Sequence, residues 1–335
     1  MLGICSEAKG LTDLTHEVKP FPPGHLQTFD ITSEGQATLA ETKRFLKIGG
    51  SDFNSLNPPV HPIDIHANLR HLLKEAVKKR LMADRRIGCL LSGGLDSSLV
   101  TALLVECFSE VGCKYKVQTF SIGMEDSPDV QAARVMAKFL GTEHHEVKFT
   151  PEEGIAAVRE VIMSLESFDI TTIRASVGMY LVSKYIKEKT DTTVIFSGEG
   201  SDELCQGYIY FHKAPTALDG DEESRRLLHD LYLYDNLRAD RTTAAHGLEV
   251  RVPFLDKFFT SYFLSIAPEK RQPQDGVEKH LLRSAFADTG LLPDEILWRP
   301  KEAFSDGVSS KNKSWYRLLQ EHIEDKVGAQ GIYRA

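Results

Sequence analysis

The sequence has few cysteines, and none of them is arranged for chemistry. Cys5, Cys89, Cys107, Cys113 and Cys205 are odd in number, scattered and without C-x-x-C spacing. That argues against a disulfide framework and against a cysteine zinc site, and it fits a reducing compartment. No apolar run approaches the roughly 20 residues that span a bilayer, and the start, MLGICSEAKG, lacks a charged region followed by an apolar core. A cytoplasmic, non-membrane protein is expected. Long Lys/Arg blocks are also missing, and the formal charge of -8 gives no general attraction to nucleic acid or anionic membrane. The expected partner is a small molecule. What remains is a 335-residue chain, 41% apolar and 26% charged, with the balance of a globular protein of one large or two smaller domains.

The pattern changes along the chain. Over the first fifty residues, PFPPGHLQTFDIT and QATLAETKRFLKI form short alternating segments broken by Pro and Gly, which predicts small strands and turns. GSDFNSLNPPVHP is rich in Gly, Ser, Asn and Pro and reads as a linker over 51–62. From Ile63 onward, helical patterns such as ANLRHLLKEAVKKRLM, SSLVTALLVECF and SPDVQAARVMAKFLG alternate with the strand-like runs IGCLL, YKVQTFSIG and HHEVKFT. Two further helical segments, PEEGIAAVREVIMSL and IRASVGMYLVSKYIKEK, precede the buried-strand run TTVIFSG. The alternation predicts an α/β fold, a parallel sheet flanked by helices with ligands at the carboxyl ends of its strands. Beyond Tyr208 the pattern is mainly helical.

One strand-to-helix junction concentrates unusual residues. CLLSGGLDSSLVTALL, residues 89–104, places Ser92, Gly93 and Gly94 at the turn, followed by Asp96, Ser97 and Ser98. Glycines let the backbone turn sharply and bring N–H groups near a ligand, and the helix start adds partial positive charge, so the loop suits a phosphate. Ser92, Ser97 and Ser98 offer hydroxyl donors. Asp96 repels phosphate unless a cation lies between them, a conflict that Mg²⁺ resolves. The loop lacks G-x-x-x-x-G-K-[ST] spacing and its lysine, which disfavours γ-phosphate transfer. The string LSGGLDSS resembles the pyrophosphate-binding loop of the ATP pyrophosphatase (PP-loop) group, which cleaves ATP between its α and β phosphates. That resemblance implies a fold of the adenine nucleotide alpha hydrolase-like kind.

A second junction repeats the design. VIFSGEGSDELCQGY, residues 194–208, runs from an apolar strand through Ser197-Gly198-Glu199-Gly200-Ser201-Asp202-Glu203 into a helix. In a parallel sheet both junctions end on one edge and can face one ligand. The bland alternative is a surface turn whose acids favour a helix start. Together with RADRTTAAHGLEVRVPFLD, LWRPKEAFSDGV, SIGMEDSPD, FDITTIRASVGMYL and EKHLLR, this segment resembles the asparagine synthetase family of the glutamine-hydrolysing, eukaryotic-like type. The resemblance runs over essentially the whole chain.

The resemblance implies ATP-dependent synthesis of asparagine from aspartate through β-aspartyl-AMP, with release of pyrophosphate and AMP. It implies ATP and Mg²⁺ as cofactors, and aspartate and ammonia as substrates, with glutamine as ammonia source in the full-length family enzyme. Homodimer formation is compatible with it. Ser92, Gly93, Gly94, Asp96, Ser97 and Ser98 would hold pyrophosphate; Leu91, Ile122, Ser197 and Gly198 would line the adenosine; Asp96 and Asp202 would hold the metal. Glu199 would be the catalytic carboxylate that takes a proton from the nitrogen nucleophile, and Lys301 the cation that neutralises departing pyrophosphate.

The same resemblance sets expectations for the ends and the domains. Residues 1–50 correspond to the end of a glutaminase domain, and 63–335 to a synthetase domain expected to stop before the family's usual end. Leu2 follows Met1 where the family carries its glutaminase cysteine, so use of free or separately supplied ammonia is expected. A truncated form that binds ATP or partners without turnover is the competing expectation. Other runs read plainly. Glu143-His144-His145-Glu146 is expected to lie on a strand and bind no metal, since neighbours on a strand point to opposite faces. DGDEESRR from Asp219 reads as a solvated loop leading to a helix, and RVPFLD allows an Arg251–Asp256 ion pair without deciding it.

Overall fold

The computed structural model describes residues 2–48, 64–301, 307–309 and 314–328; the linker expected at 51–62 lies outside the described residues. The chain divides into two units, Met1–Asn57 and Pro58–Ala335. In the first, β1 (His25–Ile31) pairs antiparallel with β2 (Ala37–Arg44), with a register shift between Thr28 and Phe29. These are the small strands that the alternating segments predict.

The second unit is built on a five-stranded sheet in the order β5-β4-β3-β6-β7, every neighbouring pair parallel. β3 (Arg86–Leu90), β4 (Gln118–Gly123) and β6 (Thr192–Phe196) are the runs RIGCL, QTFSIG and TTVIF. Every residue of β4 is buried, as expected of a strand covered on both faces. β5 (Glu143–Lys148) lies on one edge.

The opposite edge departs from expectation. β7 (Glu249–Arg251) pairs in parallel with β6 inside the stretch read as helical. Three residues are too few for alternation to register in the sequence; the strand exists because a neighbour offers it a ladder.

The helices follow their local signals. α1 (Ile65–Lys78) starts where the Asp64 carboxylate accepts from the Ala67 N–H at 2.9 Å, and it buries Leu69, Leu72, Leu73, Ala76 and Val77 on one face. α2 (Leu95–Glu110) follows the first glycine loop and is buried on most sides. α3 (Pro128–Leu140) has Ser127 as cap, Pro at its first position and Gly141 at φ +68 as its stop. α4 (Pro151–Leu165) begins with a Thr150–Glu153 capping box. α5 (Ile170–Lys189) is capped by Asp169, and α6 (Ser201–Leu204) is a single turn after the second glycine loop.

α7 (Ala217–Asp230) contains DGDEESRR, which is therefore helix and not loop. Thr216 caps it from upstream, and Asp219 in the first turn favours the helix dipole. α8 (Asp235–Ala244), α9 (Lys257–Ser265), α10 (His280–Phe286) and α11 (Trp315–Val327) complete the longer elements of the mainly helical remainder.

A core of Phe120, Ile122, Val147, Phe149, Val161, Val177, Val182, Ile195 and Trp315 packs β4, β5 and β6 against α4, α5 and α11. No helix among the described residues is long and apolar enough to cross a membrane.

The order of strands determines where a ligand fits. From β3 the chain moves outward to β4 and β5, then returns to place β6 on the other side of β3 and continues outward to β7. β3 and β6 therefore flank the point where the winding reverses, and a crevice opens beyond their carboxyl ends. Both glycine loops leave the sheet there.

Candidate active site

The two loops touch. Ser201, at the start of α6, donates its hydroxyl to Asp96 Oδ1 at 2.7 Å. A Cβ on Gly198 would lie 2.9 Å from the Asp96 Cβ and carbonyl carbon and from the Ser97 nitrogen. Only glycine lets the second loop come this close to the first.

Within the first loop Gly93 has φ +75, and a Cβ there would lie 2.4 Å from the Ala133 nitrogen; the loop is seated against α3. Serines close it on itself. The Ser92 N–H donates to Ser97 Oγ at 3.2 Å, the Gly94 N–H to Ser92 Oγ at 3.3 Å, and the two serine hydroxyls are 3.0 Å apart.

Beyond the strand ends lies a cavity of about 270 Å³. Leu91, Ser92, Gly94, Asp96, Ser97, Ile122, Ser197, Gly198, Glu199, Asp202 and Lys301 all line it. Gly93 and Ser98 do not. Gly93 supports the loop from behind, and the Ser98 hydroxyl is fully buried without a hydrogen-bond partner among the described residues. One wall is apolar, made by Phe120 and Ile122 of β4 with Ala175, Met179 and Val182 of α5.

The charged wall has two parts. In the first, Lys279 Nζ lies 2.6 Å from Asp96 Oδ2 and 2.6 Å from Asp202 Oδ1, while Lys301 Nζ lies 2.5 Å from Asp202 Oδ2. The carboxylates from the two loops thus share one ammonium. Burial alone would raise the Asp202 carboxyl, but Lys279 and Lys301 outweigh it and hold the group well below the usual carboxylate range. Burial likewise acts against the Lys279 charge, and Asp202 and Asp96 overcome it, so the ammonium sits above the ordinary lysine range.

The second part gathers Glu199, Glu203, Tyr208, Asp235 and Arg238. Arg238 donates to Glu199 Oε2 at 2.7 Å and pairs with Asp235 through its other nitrogen. The Tyr208 hydroxyl reaches Glu203 Oε1 at 2.5 Å and Asp235 Oδ2 at 3.2 Å. Burial raises the Glu199 carboxyl, with Arg238 pulling it back and Asp235 adding to the rise. Burial and then the neighbouring Asp235 push Glu203 well above the glutamate range. Asp235, despite its burial, is held low mainly by Arg238. Two acids that favour the proton thus lie beside one that does not, a separation typical of sites that move protons.

At the end of β4 two further quoted runs meet. Arg299 of LWRPKEAFSDGV pairs with Asp129 of SIGMEDSPD at 2.9 Å, and Ser127 donates to the Gly307 carbonyl at 2.6 Å.

Sequence reasoning did not single out Arg174, Tyr208, Asp235, Arg238 or Lys279, all of which line the cavity. Arg174, Tyr208, Arg238 and Lys279 belong to runs that carry the resemblance, whereas Asp235 lies just before one of them; only the fold aims all five inward. The Glu143–Glu146 run lies on β5, the strand expected of it, and His144 lies between the Thr119 and Ser121 hydroxyls at 2.9 and 3.1 Å. The Arg251–Asp256 pair does not form. Asp256 is held by Lys79 and Arg80 at 3.0 and 2.9 Å, while Arg251 pairs with Glu249 at 2.7 Å and donates to the Met82 carbonyl at 2.9 Å.

Known proteins resemble this chain over nearly its whole length. The family model described as asparagine synthase matches residues 68–223 and 215–331. The glutamine-hydrolyzing asparagine synthetases of Cricetulus griseus and Homo sapiens are each 57% identical to this chain, and that of Gallus gallus 58%. Each alignment covers 97% of this chain and 60% of the relative. The chain therefore spans about 60% of the length of these curated relatives.

Proposed function

The chain belongs to the asparagine synthase family, and we propose on that footing that it uses ATP to activate aspartate and passes the activated acyl group to ammonia. The observation that carries this reading is the contact between the two glycine loops over one cavity, with Asp96 and Asp202 turned toward each other. A kinase would need a lysine-bearing loop around the terminal phosphates; here the first loop offers serines and backbone N–H groups.

In the first half-reaction, an aspartate side-chain oxygen attacks the α phosphorus. The bond from that phosphorus to the bridging oxygen breaks, and pyrophosphate leaves with the electron pair. Ser92, Gly94 and Ser97 hold the departing diphosphate, and Lys301 lies where charge builds on it. The apolar wall takes the adenine, with Leu91, Ile122, Ser197 and Gly198 around the nucleoside.

The donor set fits magnesium. Two carboxylates are the hard oxygen ligands it takes from a protein when phosphates and water complete its shell, and the described residues hold no group of three or more His, Cys, Asp or Glu that would suit a metal bound by protein alone. Asp96 and Asp202 would hold it, and when bound it supplies positive charge to the phosphates.

In the second half-reaction ammonia attacks the acyl carbon, the carbon–oxygen bond to AMP breaks, and the nitrogen loses a proton. Glu199 is the acceptor. A carboxyl raised by burial is a better base than an ordinary glutamate, and Arg238 fixes its direction.

The domain limits belong to the same proposal. We assign 63–335 to the synthetase domain and the hairpin unit to the end of a glutaminase domain. A cytosolic address and small-molecule substrates fit the free cysteines and the charge of -8.

The experiment is direct. The protein is mixed with ATP, Mg²⁺, aspartate and ammonium, and pyrophosphate, AMP and asparagine are measured. Pyrophosphate that requires aspartate, with AMP and asparagine in equal amounts, is the expected result. ADP in place of AMP, or binding of ATP without turnover, would overturn the reading.

A further inference from the structure

Lys279 is placed with more care than a counter-ion needs. Its side chain is 1% exposed and lies at the one position where it meets carboxylates from both loops, 2.6 Å from Asp96 and 2.6 Å from Asp202. Its backbone is left-handed, at φ +55, a conformation that a residue with a Cβ adopts only when its surroundings impose it. The chain also clears room for it. A Cβ on Gly207 would lie 2.2 Å from Lys279 Cε and 2.1 Å from Asp202 Oδ1.

The remaining carboxylate oxygens have other partners. Asp96 Oδ1 accepts from Ser201 and Asp202 Oδ2 from Lys301. All four oxygens are therefore fixed, and the inward pair, Asp96 Oδ2 and Asp202 Oδ1, is fixed by one nitrogen. Two carboxylates arriving from separate strand ends would otherwise repel each other and splay apart. Lys301, by contrast, is half-buried and contacts Asp202 alone of the two.

We propose that Lys279 is a positioning residue that sets the spacing of Asp96 and Asp202 for a magnesium–triphosphate. This deepens the function proposed above and rests on it. Lys279 touches neither substrate nor reacting atoms; it acts by holding side by side the two carboxylates that would hold the ion. Groups that orient metal ligands commonly change affinity by about 10–100-fold when removed.

The test compares ligands that need the ion with one that does not. Lys279→Met removes the charge and keeps the length. Gly207→Ala keeps the charge and presses on both Lys279 and Asp202 Oδ1, so it tests the spacing while Lys279→Met tests the lysine itself. In a variant that melts cooperatively, the magnesium concentration that half-saturates ATP binding is expected to rise by about 10-fold or more, with AMP binding in the absence of magnesium unchanged. A merely structural lysine would weaken both ligands alike or neither, and either pattern overturns the proposal.

Should neither variant fold, a crystal structure of the unaltered protein with Mg²⁺ and a non-hydrolysable ATP analogue decides. Lys279 within hydrogen-bond distance of both carboxylates while they hold the ion supports the assignment; Lys279 detached from either one refutes it. If the unaltered protein binds ATP with no dependence on magnesium, the function proposed above fails at its metal step, and the positioning role fails with it.

Discussion

Ser201 donates a hydrogen bond to Asp96 across 105 positions of sequence, at 2.7 Å. The residues open the helices that follow β6 and β3, so this one bond records that the strand ends at the reversal of the sheet act as a single ligand-binding edge. Chain segments far apart in sequence meet there because the parallel winding leaves β3 and β6 adjacent. Local patterns alone could not have paired them.

Ser201→Ala removes that bond and leaves the carboxylate on Lys279 alone. A hydrogen bond to a charged group contributes about 1.5–3 kcal/mol, so ATP affinity in the presence of Mg²⁺ is expected to fall by about 10-fold or more, with the melting temperature lowered by a few degrees at most. Titration calorimetry beside a thermal melt separates the two effects.

Gly198→Ala tests closeness itself. The added methyl would lie 2.9 Å from backbone and side-chain atoms of the Asp96–Ser97 segment, and neither side is a flexible tip that can swing away. Overpacking of this kind costs about 1–3 kcal/mol. Aspartate-dependent pyrophosphate release is expected to drop by about 100-fold as the loops are forced apart, since small misplacement of reacting groups is costly. Retention of most of the activity would show that the loops need not touch.

Glu199→Gln keeps the shape and the Arg238 contact but cannot accept a proton. Nucleotide binding is expected to persist, while asparagine formation falls by about 10²–10⁴-fold, the usual contribution of a positioned base. The pH dependence follows from the direction of the shift: burial raises the Glu199 carboxyl, so the acid limb of the rate should lie above the ordinary glutamate value of about 4.3. That limb should vanish from the residual rate of the variant.

Much of this architecture is legible in the letters. β3, β4 and β6 announce themselves as short apolar runs bounded by helical periodicity, and both glycine loops stand out because Gly, Ser and Asp cluster where a strand ends. What stays hidden depends on distance. Lys279 meets Asp96 across 183 positions, from a left-handed backbone that a lysine codon does not advertise. β7 is three residues long and is made a strand by β6. Glu203 and Asp235 are ordinary acids until burial and Asp235 raise the first while Arg238 holds the second low.

Asp256 shows the same limit in a structural role. Its carboxylate accepts from the Phe258 N–H at 3.0 Å as the cap of α9, and it joins α1 to that helix through Lys79 and Arg80. Asp256→Ala removes a cap, about 1 kcal/mol, and two ion pairs that are discounted because Lys79 and Arg80 keep contact with solvent. A loss of about 2 kcal/mol by urea unfolding is expected, with adenylation kinetics little changed. A large kinetic effect without loss of stability would move Asp256 into the site.

Glu203 gives the opposite dependence on pH. The residue is 3% exposed, and its carboxyl shares Tyr208 with Asp235 and is raised well above the glutamate range by burial and by Asp235. The folded protein therefore binds this proton more tightly than the unfolded chain does. The resulting stabilisation is complete below the unfolded value of about 4.3, persists while the folded group keeps its proton, and is lost as pH rises through the raised folded value. Glu203→Gln keeps a hydrogen-bond donor toward Asp235 and has no proton to lose. Urea midpoints measured from about pH 6 to pH 9 should fall more steeply for the unaltered protein than for the variant, with the gap widening toward the alkaline end because a charge forced into this pocket faces Asp235 and Asp202 at once. Parallel curves would mean that Glu203 already carries its charge in the folded state, and the account of the acid cluster would have to place the shared proton elsewhere.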